Sequence, residues 1–336
     1  MTDESTLGRR SRPTLRAPRA CLRVVHSPDA AAVGRTLDLD AAHTLGRQGP
    51  SGFADARMSR EHARLSPRRG LAPAELEDLE SNNGTWVNGT TVTRTPLRPN
   101  DVVAIGETLL VVDQESYDDR LPVADERAAG PAPQLEGLLG ASYVAERLRR
   151  SLLTVAASRG PVLLFGETGT GKEVAARALH ERGGRAGPWV ALNCAAIPTE
   201  VAEAELFGHK KGAFTGALAD RVGAFASAHG GTLFLDEVAE LSPAMQAKLL
   251  RALELSEIVP VGSSTAEPVD VRVVAATLHA PESGKLRADL HARLAEWELV
   301  LPPLVERRAD ILLIFDHFSG VRRTPELSEA LLTYSW

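Results

Sequence analysis

A glycine-rich segment in the middle of the chain has the composition of a phosphate-binding loop. The segment GETGTGKE begins at Gly166, directly after the apolar run PVLLF, and its Lys172 opens a segment with helical periodicity. Glycines let backbone N–H groups turn toward phosphate oxygens, the helix N-terminus adds its dipole, and the lysine reaches the terminal phosphates. A chance glycine-rich turn is the alternative. The expected ATP contacts are Gly166, Glu167, Thr168, Gly169, Thr170, Gly171, Lys172 and Glu173.

Two adjacent acids could supply the matching metal and water chemistry. Asp236 and Glu237 end the apolar run in GGTLFLDEV, at the carboxyl end of a predicted strand. We expect Asp236 to hold Mg²⁺, directly or through water, and Glu237 to polarise the attacking water. Solvated loop acids are the alternative, which the phosphate-binding loop makes less attractive. The sequence therefore predicts an ATPase site with ATP and Mg²⁺ as cofactors, although Glu173 stands where Ser or Thr usually contributes a magnesium ligand.

The elements around these residues predict a parallel sheet. Five apolar segments, residues 161–165, 189–193, 232–236, 271–276 and 297–301, alternate with helical patterns. Near-continuous apolar strands separated by helices are typical of a parallel sheet covered on both faces. Two further helices are predicted at residues 310–318 and 324–334. We therefore expect an α/β P-loop domain at residues 135–303, followed by a partial helical lid at residues 304–336.

The N-terminal part has a different pattern. Residues 22–112 contain short alternating apolar segments separated by turn dipeptides, which predicts an all-β sandwich. Residues 113–134 are acidic, rich in Pro and Ala and without periodicity, and they are interpreted as a linker. Residues 1–21 carry many arginines without an apolar core, and we expect a disordered basic tail.

The P-loop half resembles the sigma-54 activator branch of the AAA+ ATPases. The match extends over about residues 138–336, and its most specific part is ELFGHKKGAFTGA at residues 205–217. In that family the GAFTGA loop projects from a ring of subunits and engages sigma-54; a plain surface loop is the alternative. The resemblance implies sigma-54 RNA polymerase as partner and a homo-oligomeric ring, a hexamer in the family. It assigns the sigma-54 contact to Gly212, Ala213, Phe214, Thr215, Gly216 and Ala217.

Three further site residues are implied by the same resemblance. Asn193 matches the asparagine that restrains the catalytic glutamate, so it is paired with Glu237; a strand-end cap is its alternative role. Arg287 and Arg293 match arginines offered to the nucleotide of the neighbouring subunit, or else they are ordinary surface residues of a helix. Such an arginine is worth about three to five powers of ten in rate, so an isolated subunit should be a poor enzyme.

The chain departs from the family at two places. Leu278 stands where the family commonly has Asn, which leaves only the hydroxyl of Thr277 near the expected γ-phosphate. The sequence also stops at Trp336, before the family's lid is complete and before its helix-turn-helix domain. This sequence therefore contains no DNA-binding domain, and it is interpreted either as a fragment or as a form that works without its own DNA contact.

The N-terminal sandwich resembles the forkhead-associated (FHA) domain. The motifs Gly46-Arg47, SREH at residues 59–62, SNNGT at residues 81–85 and Asn88-Gly89 follow one another in the family's order. Phosphothreonine carries nearly two negative charges and three acceptor oxygens, so its reader needs a guanidinium and short donors on adjacent loops. Asn-Gly turns in any β-sandwich are the alternative. The resemblance assigns phosphothreonine binding to Arg47, Ser59, Arg60, Asn82 and Asn83, and a structural role to His62.

Composition limits the remaining classes. The 336-residue chain has a net charge of -6 and a pI of about 5.9, which does not favour nucleic acid as its main ligand. Its two cysteines, Cys21 and Cys194, imply no disulfide framework. No apolar run approaches the roughly 18 residues of a membrane span, and a cytoplasmic protein is expected.

The combined prediction is a phosphorylation-responsive, ATP-dependent activator of sigma-54 RNA polymerase that remodels the closed promoter complex. The alternative is a phosphothreonine-binding regulator whose AAA+ domain binds ATP but turns it over weakly. An AAA+ chaperone or loader of another kind is a third possibility, which the GAFTGA loop disfavours.

Overall fold

The structure is a computed structural model that describes residues 19–69, 72–115, 133–280 and 283–336. Most of the predicted basic tail and most of the predicted linker lie outside the described residues. None of the helices in the described part of the chain is long and apolar enough to cross a membrane.

The N-terminal domain is an antiparallel β-sandwich, as the alternating pattern predicts. Its strands within the described residues are β1 (Ala20–His26), β2 (Thr36–Asp38), β3 (His43–Leu45), β4 (Ala63–Ser66), β5 (Glu75–Asp78), β6 (Thr85–Val87), β7 (Thr90–Val92), β8 (Arg94–Pro96), β9 (Val102–Ile105) and β10 (Thr108–Gln114). One sheet has the order β2-β1-β10-β9-β6-β7 and the other β3-β4-β5-β8. Inward-facing residues of both sheets, among them Leu22, Leu65, Leu76 and Leu110, form one buried core.

The second domain is built around a five-stranded parallel sheet. Its strands are β11 (Val162–Phe165), β12 (Trp189–Asn193), β15 (Thr232–Asp236), β18 (Arg272–Thr277) and β19 (Trp297–Val300), in the order β12-β15-β18-β11-β19. Two short hairpins accompany the sheet: β13 (Gly208–His209) with β14 (Arg221–Val222), and β16 (Glu257–Ile258) with β17 (Glu267–Pro268). The five predicted strands are thus confirmed. Each observed strand boundary agrees with the predicted one or differs from it by one residue.

Helices cover both faces of this sheet. They are α1 (Tyr143–Ala156), α2 (Lys172–Arg182), α3 (Ala202–Phe207), α4 (Ala224–Ser227), α5 (Pro243–Leu255) and α6 (Ala288–Leu294). Two separate apolar clusters result, because successive strand residues such as Leu163 and Leu164 face opposite layers. Because all five strands run parallel, their carboxyl ends meet at one edge of the sheet, where the P-loop and the acidic pair lie.

The lid region consists of α7 (Ile311–Ser319) and α8 (Pro325–Thr333), close to the two predicted helices. A 3₁₀ turn, Arg308–Asp310, leads into α7. Residues of this region share a buried apolar cluster with the outer face of β1, β9 and β10. The predicted order of a β-sandwich followed by a parallel-sheet α/β domain is confirmed, and the interpretation of residues 304–336 as a partial lid stays a prediction.

Candidate functional sites

The P-loop connects the end of β11 to the start of α2 and depends on its glycines for shape. Gly169 and Gly171 have φ angles of 84° and 96°, in the left-handed region that favours glycine. A Cβ on Gly166 would lie 2.7 Å from the Thr170 hydroxyl and 2.9 Å from the Leu301 carbonyl oxygen. The loop geometry therefore requires glycine at three positions, for conformation at two and for space at the third.

Lys172 lies at the centre of this site. Its side chain is 7% exposed, and its Nζ donates hydrogen bonds to the carbonyl oxygens of Gly166 (2.8 Å) and Glu167 (3.2 Å). The same Nζ is 3.4 Å from Glu237 Oε1. Thr170 closes the loop by donating from its hydroxyl to the Glu167 carbonyl oxygen (2.8 Å). The ammonium group is thus placed between the loop and the acidic pair, where the phosphates of a nucleotide would carry charge.

The acidic pair occupies the end of β15. Burial and the neighbouring Glu237 carboxylate raise the pKa of Asp236 above its usual value, while Lys172 opposes the rise. Glu237 has a left-handed backbone (φ 50°, ψ 49°), which is uncommon for a residue with a Cβ and occurs preferentially at functional sites. The Leu278 N–H donates to Glu237 Oε2 at 3.2 Å, so the backbone of this divergent position helps to hold the carboxylate.

The residues present fit an ATP–Mg²⁺ complex in part. Within the described residues no group of three or more His, Cys, Asp or Glu side chains could hold a metal ion. Asp236 would share Mg²⁺ with phosphate oxygens and water, which is how this ion is usually bound beside nucleotides. Glu173 is exposed and lies 3.8 Å from Arg177 on the same helix, so it does not replace the missing hydroxyl ligand.

Two other expected residues, Asn193 and Thr277, lie in less direct positions. Asn193 is in register with Asp236 on the neighbouring strand, and its Oδ1 accepts from the Ala195 N–H (3.0 Å) as a strand-end cap. The predicted pairing of Asn193 with Glu237 has no described contact and stays a prediction. Thr277 is buried at the end of β18, where its hydroxyl accepts from the His279 N–H (3.0 Å).

The two expected arginine fingers have contacts away from the P-loop of their own subunit. Arg287 pairs with Asp289, with an Nη2–Oδ2 distance of 2.7 Å, and Arg293 donates to the Leu253 carbonyl oxygen at 3.1 Å. The buried Gln246 fixes this region, because its Oε1 accepts from the Arg287 N–H and its Nε2 donates to the Lys285 carbonyl oxygen, both at 2.9 Å. Sequence reasoning did not single out Gln246.

A second residue that sequence reasoning missed is Arg307. It is 7% exposed, and its Nη2 donates to the carbonyl oxygen of Thr170 in the P-loop at 3.3 Å. Burial lowers its pKa, while Asp310 raises it. In the sequence it lies in LPPLVERRADI at the start of the lid, between Glu306 and Arg308, and no local signal distinguished it from a surface arginine.

The GAFTGA segment forms a small closed loop on the β13–β14 hairpin. The Gly212 N–H donates to the Ala217 carbonyl oxygen (2.8 Å), and Gly212 and Gly216 have positive φ angles. Phe214 is 45% exposed and its ring lies 4.9 Å from the ring of His209, edge to face. Thr215 is exposed at the tip beside it. The arrangement presents an apolar side chain and a hydroxyl to solvent.

The five expected phosphothreonine residues line one pocket of the N-terminal domain. Arg47, Ser59, Arg60, Asn82 and Asn83 surround it together with Arg57. Three arginines with only Glu61 as acid in the lining favour a dianionic ligand. Sequence reasoning did not include Arg57, which also lies 3.2 Å from Glu107.

Buried side chains hold the loops of this pocket. His62 is fully buried; its Nδ1 accepts from the Ser59 N–H (3.1 Å) and its Nε2 faces the Gly84 carbonyl oxygen (3.1 Å), so the proton is on Nε2. Asp55 is also buried and accepts from the Arg57 N–H (2.9 Å) and the Glu107 N–H (2.8 Å). The ligand-facing residues are therefore supported from below by two buried side chains.

Close approach explains the glycine before Arg47. A Cβ on Gly46 would lie only 2.1 Å from the Arg60 carbonyl oxygen. The two arginine-bearing loops are joined there by hydrogen bonds from the Arg47 N–H to the Ser59 carbonyl oxygen and from the Gln48 N–H to the Arg60 carbonyl oxygen.

These features define a P-loop α/β domain of the AAA+ class preceded by an FHA β-sandwich. The family model for the sigma-54 interaction domain matches residues 138–300, and that for the FHA domain matches residues 33–106. Residues 138–300 thus belong to the sigma-54 interaction domain family, and residues 33–106 form an FHA domain.

Relatives of known sequence and structure agree with this assignment. The chain is 48% identical over 225 residues to the C4-dicarboxylate transport transcriptional regulatory protein DctD of Rhizobium meliloti, covering 62% of this chain and 49% of DctD. It is 50% identical over 205 residues to the Nif-specific regulatory protein of Bradyrhizobium diazoefficiens, covering 60% of this chain and 35% of that protein. NtrX from Brucella abortus in complex with ATP has a TM-score of 0.55 at 34% identity, over 60% of this chain and 49% of NtrX. The chain therefore spans about half or less of the length of these relatives.

Proposed function

We propose that this protein is a phosphorylation-responsive, ATP-dependent activator of sigma-54 RNA polymerase. The observation that carries the proposal is the placement of Lys172 between the P-loop carbonyls and Glu237, in a domain that also presents the GAFTGA loop. The relatives support it, because DctD is a transcriptional regulatory protein, the Bradyrhizobium relative is a Nif-specific regulatory protein, and the related NtrX structure is a complex with ATP.

Each residue of the P-loop site would have a separate role in ATP hydrolysis. ATP supplies the phosphoanhydride bond whose hydrolysis drives the cycle. Lys172 would turn from the loop carbonyls to the terminal phosphates, and Asp236 would hold Mg²⁺. Glu237, oriented by the Leu278 N–H, would accept a proton from the attacking water.

The subunits would act in a ring, a hexamer by family resemblance. Arg287 and Arg293 have their own contacts away from the P-loop, which suits a role toward the nucleotide of a neighbour. The exposed tip formed by Phe214 and Thr215 would engage sigma-54 and move with the nucleotide state. The pocket around Arg47 and Ser59 would bind a threonine-phosphorylated protein and so link the ring to a kinase signal.

Thr215→Ala tests the proposal directly. We expect the variant to keep its ATP turnover and to lose promoter opening in a reconstituted assay with sigma-54 RNA polymerase. Thr154→Ala is the matched control, because Thr154 is exposed on α1 and, among the residues that the structure describes, its hydroxyl donates only to the Arg150 carbonyl oxygen of its own helix. Normal promoter opening by Thr215→Ala would contradict the proposed contact.

One observation favours a second function, a phosphothreonine-binding regulator with a weak ATPase. Leu278 is 47% exposed beside Glu237 and offers no side-chain amide to a γ-phosphate. Steady-state ATP hydrolysis measured against protein concentration separates the two functions. A specific activity that rises as subunits assemble supports the activator, whereas no hydrolysis at any concentration, with nucleotide still bound, supports the binding protein.

A further inference from the structure

The outer face of the FHA sheet is apolar and covered by the lid region. Strand β10 alternates in the usual way, so Leu110 and Val112 enter the sandwich core while Leu109 and Val111 point outward. The outward residues are nevertheless buried. They share one apolar cluster with the lid, whose members are Val25, Val102, Leu109, Val111, Ala309, Ile311, Leu312 and Leu332.

A polar contact beside this cluster joins the FHA domain to the start of α1. The buried Asp113 carboxylate accepts from the Tyr143 N–H at 3.1 and 3.2 Å and pairs with Arg23 at 2.8 Å. The guanidinium groups of Arg19 and Arg23 lie 4.7 and 5.6 Å from the centre of the Tyr143 ring. A helix N-terminus has unpaired N–H groups, so a carboxylate at this position is favourable.

The lid supplies a second carboxylate to the same helix end. Asp310 is fully buried and accepts from the Ala141 N–H (2.6 Å), the Ser142 N–H (2.7 Å) and the Ser142 hydroxyl (2.7 Å). The FHA domain, the lid and α1 are therefore fixed against one another by two buried acids and one apolar cluster.

The segment that carries Asp310 also reaches the P-loop. Arg307 donates to the Thr170 carbonyl oxygen, while the adjacent Arg308 donates from its N–H and Nη1 to the side-chain and backbone oxygens of Asn100 in the FHA domain, both at 3.4 Å. The four consecutive residues 307–310 thus contact three regions: the P-loop through Arg307, the FHA domain through Arg308, and the start of α1 through Asp310. The Nε atom of the buried Arg307 has no hydrogen-bond partner in the described residues. The position of the Arg307 guanidinium therefore depends on the residues packed around it.

We propose that the outer face of β1, β9 and β10 is a docking surface for the lid, and that docking holds Arg307 as a positioning residue against the P-loop. Nucleotide affinity then depends on whether the FHA domain is docked. The inference rests on the proposed function only in requiring that the P-loop binds nucleotide.

Leu312→Arg in the full chain tests this coupling, with Leu313→Arg as its matched control. Leu312 is 2% exposed in the docked cluster, whereas its neighbour Leu313 is 42% exposed on the same helix. We expect Leu312→Arg to weaken binding of a fluorescent ADP analogue about fivefold or more, the usual lower range of coupling between two sites. Leu313→Arg should bind the analogue as the wild type does.

Cys21 reports docking independently of nucleotide. It lies on the outward face of β1 in contact with Tyr143, and burial raises the pKa of its thiol to about 11, so it should react slowly with maleimide while docked. Mass spectrometry of the labelled peptides gives the rate for Cys21, with the buried Cys194 as an internal reference. Leu312→Arg should accelerate labelling of Cys21 and leave Cys194 slow.

The outcomes separate the possible failures. Unchanged Cys21 labelling in Leu312→Arg overturns the docking surface, and faster Cys21 labelling with unchanged affinity overturns the coupling. Fast labelling of both cysteines means that Leu312→Arg has unfolded. In that case Arg308→Ala, which removes a half-buried side chain at the edge of the docked surface, replaces it, and nucleotide affinity and Cys21 labelling are measured on that variant. A wild-type chain that binds neither ADP nor ATP overturns the proposed function and this inference together.

Arg307 itself allows a sharper measurement. Arg307→Lys keeps a positive charge near the Thr170 carbonyl and should restore part of the nucleotide affinity that Arg307→Met loses, with Cys21 labelling slow in both variants. Equal affinity in Arg307→Met and the wild type would overturn the positioning role.

Discussion

In the P-loop, the groups expected to face phosphate are backbone N–H groups freed by left-handed glycines, whereas in the FHA pocket they are side chains of Arg47, Ser59 and Arg60. The first site sits where a strand turns into a helix, so the chain path itself forms the binding surface. The second site sits on loops of a sandwich, where buried residues below must hold each side chain. A backbone site should therefore be sensitive to glycine substitution, and a side-chain site to the loss of charge.

The largest expected effect is a loss of ATP turnover without a loss of nucleotide affinity in the P-loop site. Glu237→Gln should lower ATP turnover about 10²- to 10⁴-fold, the usual contribution of a general base, and leave nucleotide affinity close to that of the wild type. Glu240→Gln is the control, because Glu240 pairs with His279 and Lys285 on the surface. Turnover that survives in Glu237→Gln would remove this residue from the mechanism.

The second effect concerns the side-chain site. Arg47→Ala should weaken binding of a phosphothreonine peptide pool about 10- to 100-fold, because it removes a charge-assisted hydrogen bond. Arg64→Ala serves as control, since Arg64 is exposed and pairs with Glu77 on β4 and β5. Fluorescence polarisation with phosphorylated and unphosphorylated pools measures the difference. If both variants bind alike, the pocket is not the phosphothreonine site.

A glycine substitution tests the claim that the P-loop is a backbone site. Gly171 and Gly184 flank α2 with φ angles of 96° and 66°, and a Cβ added at either position would point into open space. Alanine at either position should reduce the free energy of unfolding by about 1–2 kcal/mol, the cost of a left-handed residue with a Cβ. Only Gly171→Ala should also weaken nucleotide binding. Equal affinities, measured by titration calorimetry, would argue against backbone recognition.

The smallest effect is a pH dependence of magnesium binding. The pKa of Asp236 is raised by burial and by Glu237. Below that pKa the carboxyl group is neutral and binds Mg²⁺ poorly, so the Mg²⁺-dependent part of nucleotide affinity should decline as the pH is lowered, starting above the range of an ordinary aspartate. Asp236→Asn should show neither the Mg²⁺ dependence nor this decline.

Local patterns made the fold and the phosphate-facing residues predictable. The strands of the parallel sheet are largely apolar, and each motif residue is identified by neighbours a few positions away. Arg307, Asp113 and Asp310 were not predicted as contacts, because their partners lie far along the chain: Asp310 and Ser142 are 168 positions apart. One signal was available, since TLLVV in β10 is apolar on both faces and a strand of that kind needs cover on each side.

The buried Asp55 has a consequence for how a phosphopeptide would associate with the proposed site. Its carboxylate ties the pocket loop at Arg57 to the turn between β9 and β10 through Glu107, so the loop has its shape before any ligand arrives. Recognition by a loop that is already ordered loses little conformational entropy, and the encounter can proceed without a folding step. In the proposed function, the FHA domain would accordingly capture a phosphorylated partner without first ordering this part of its pocket.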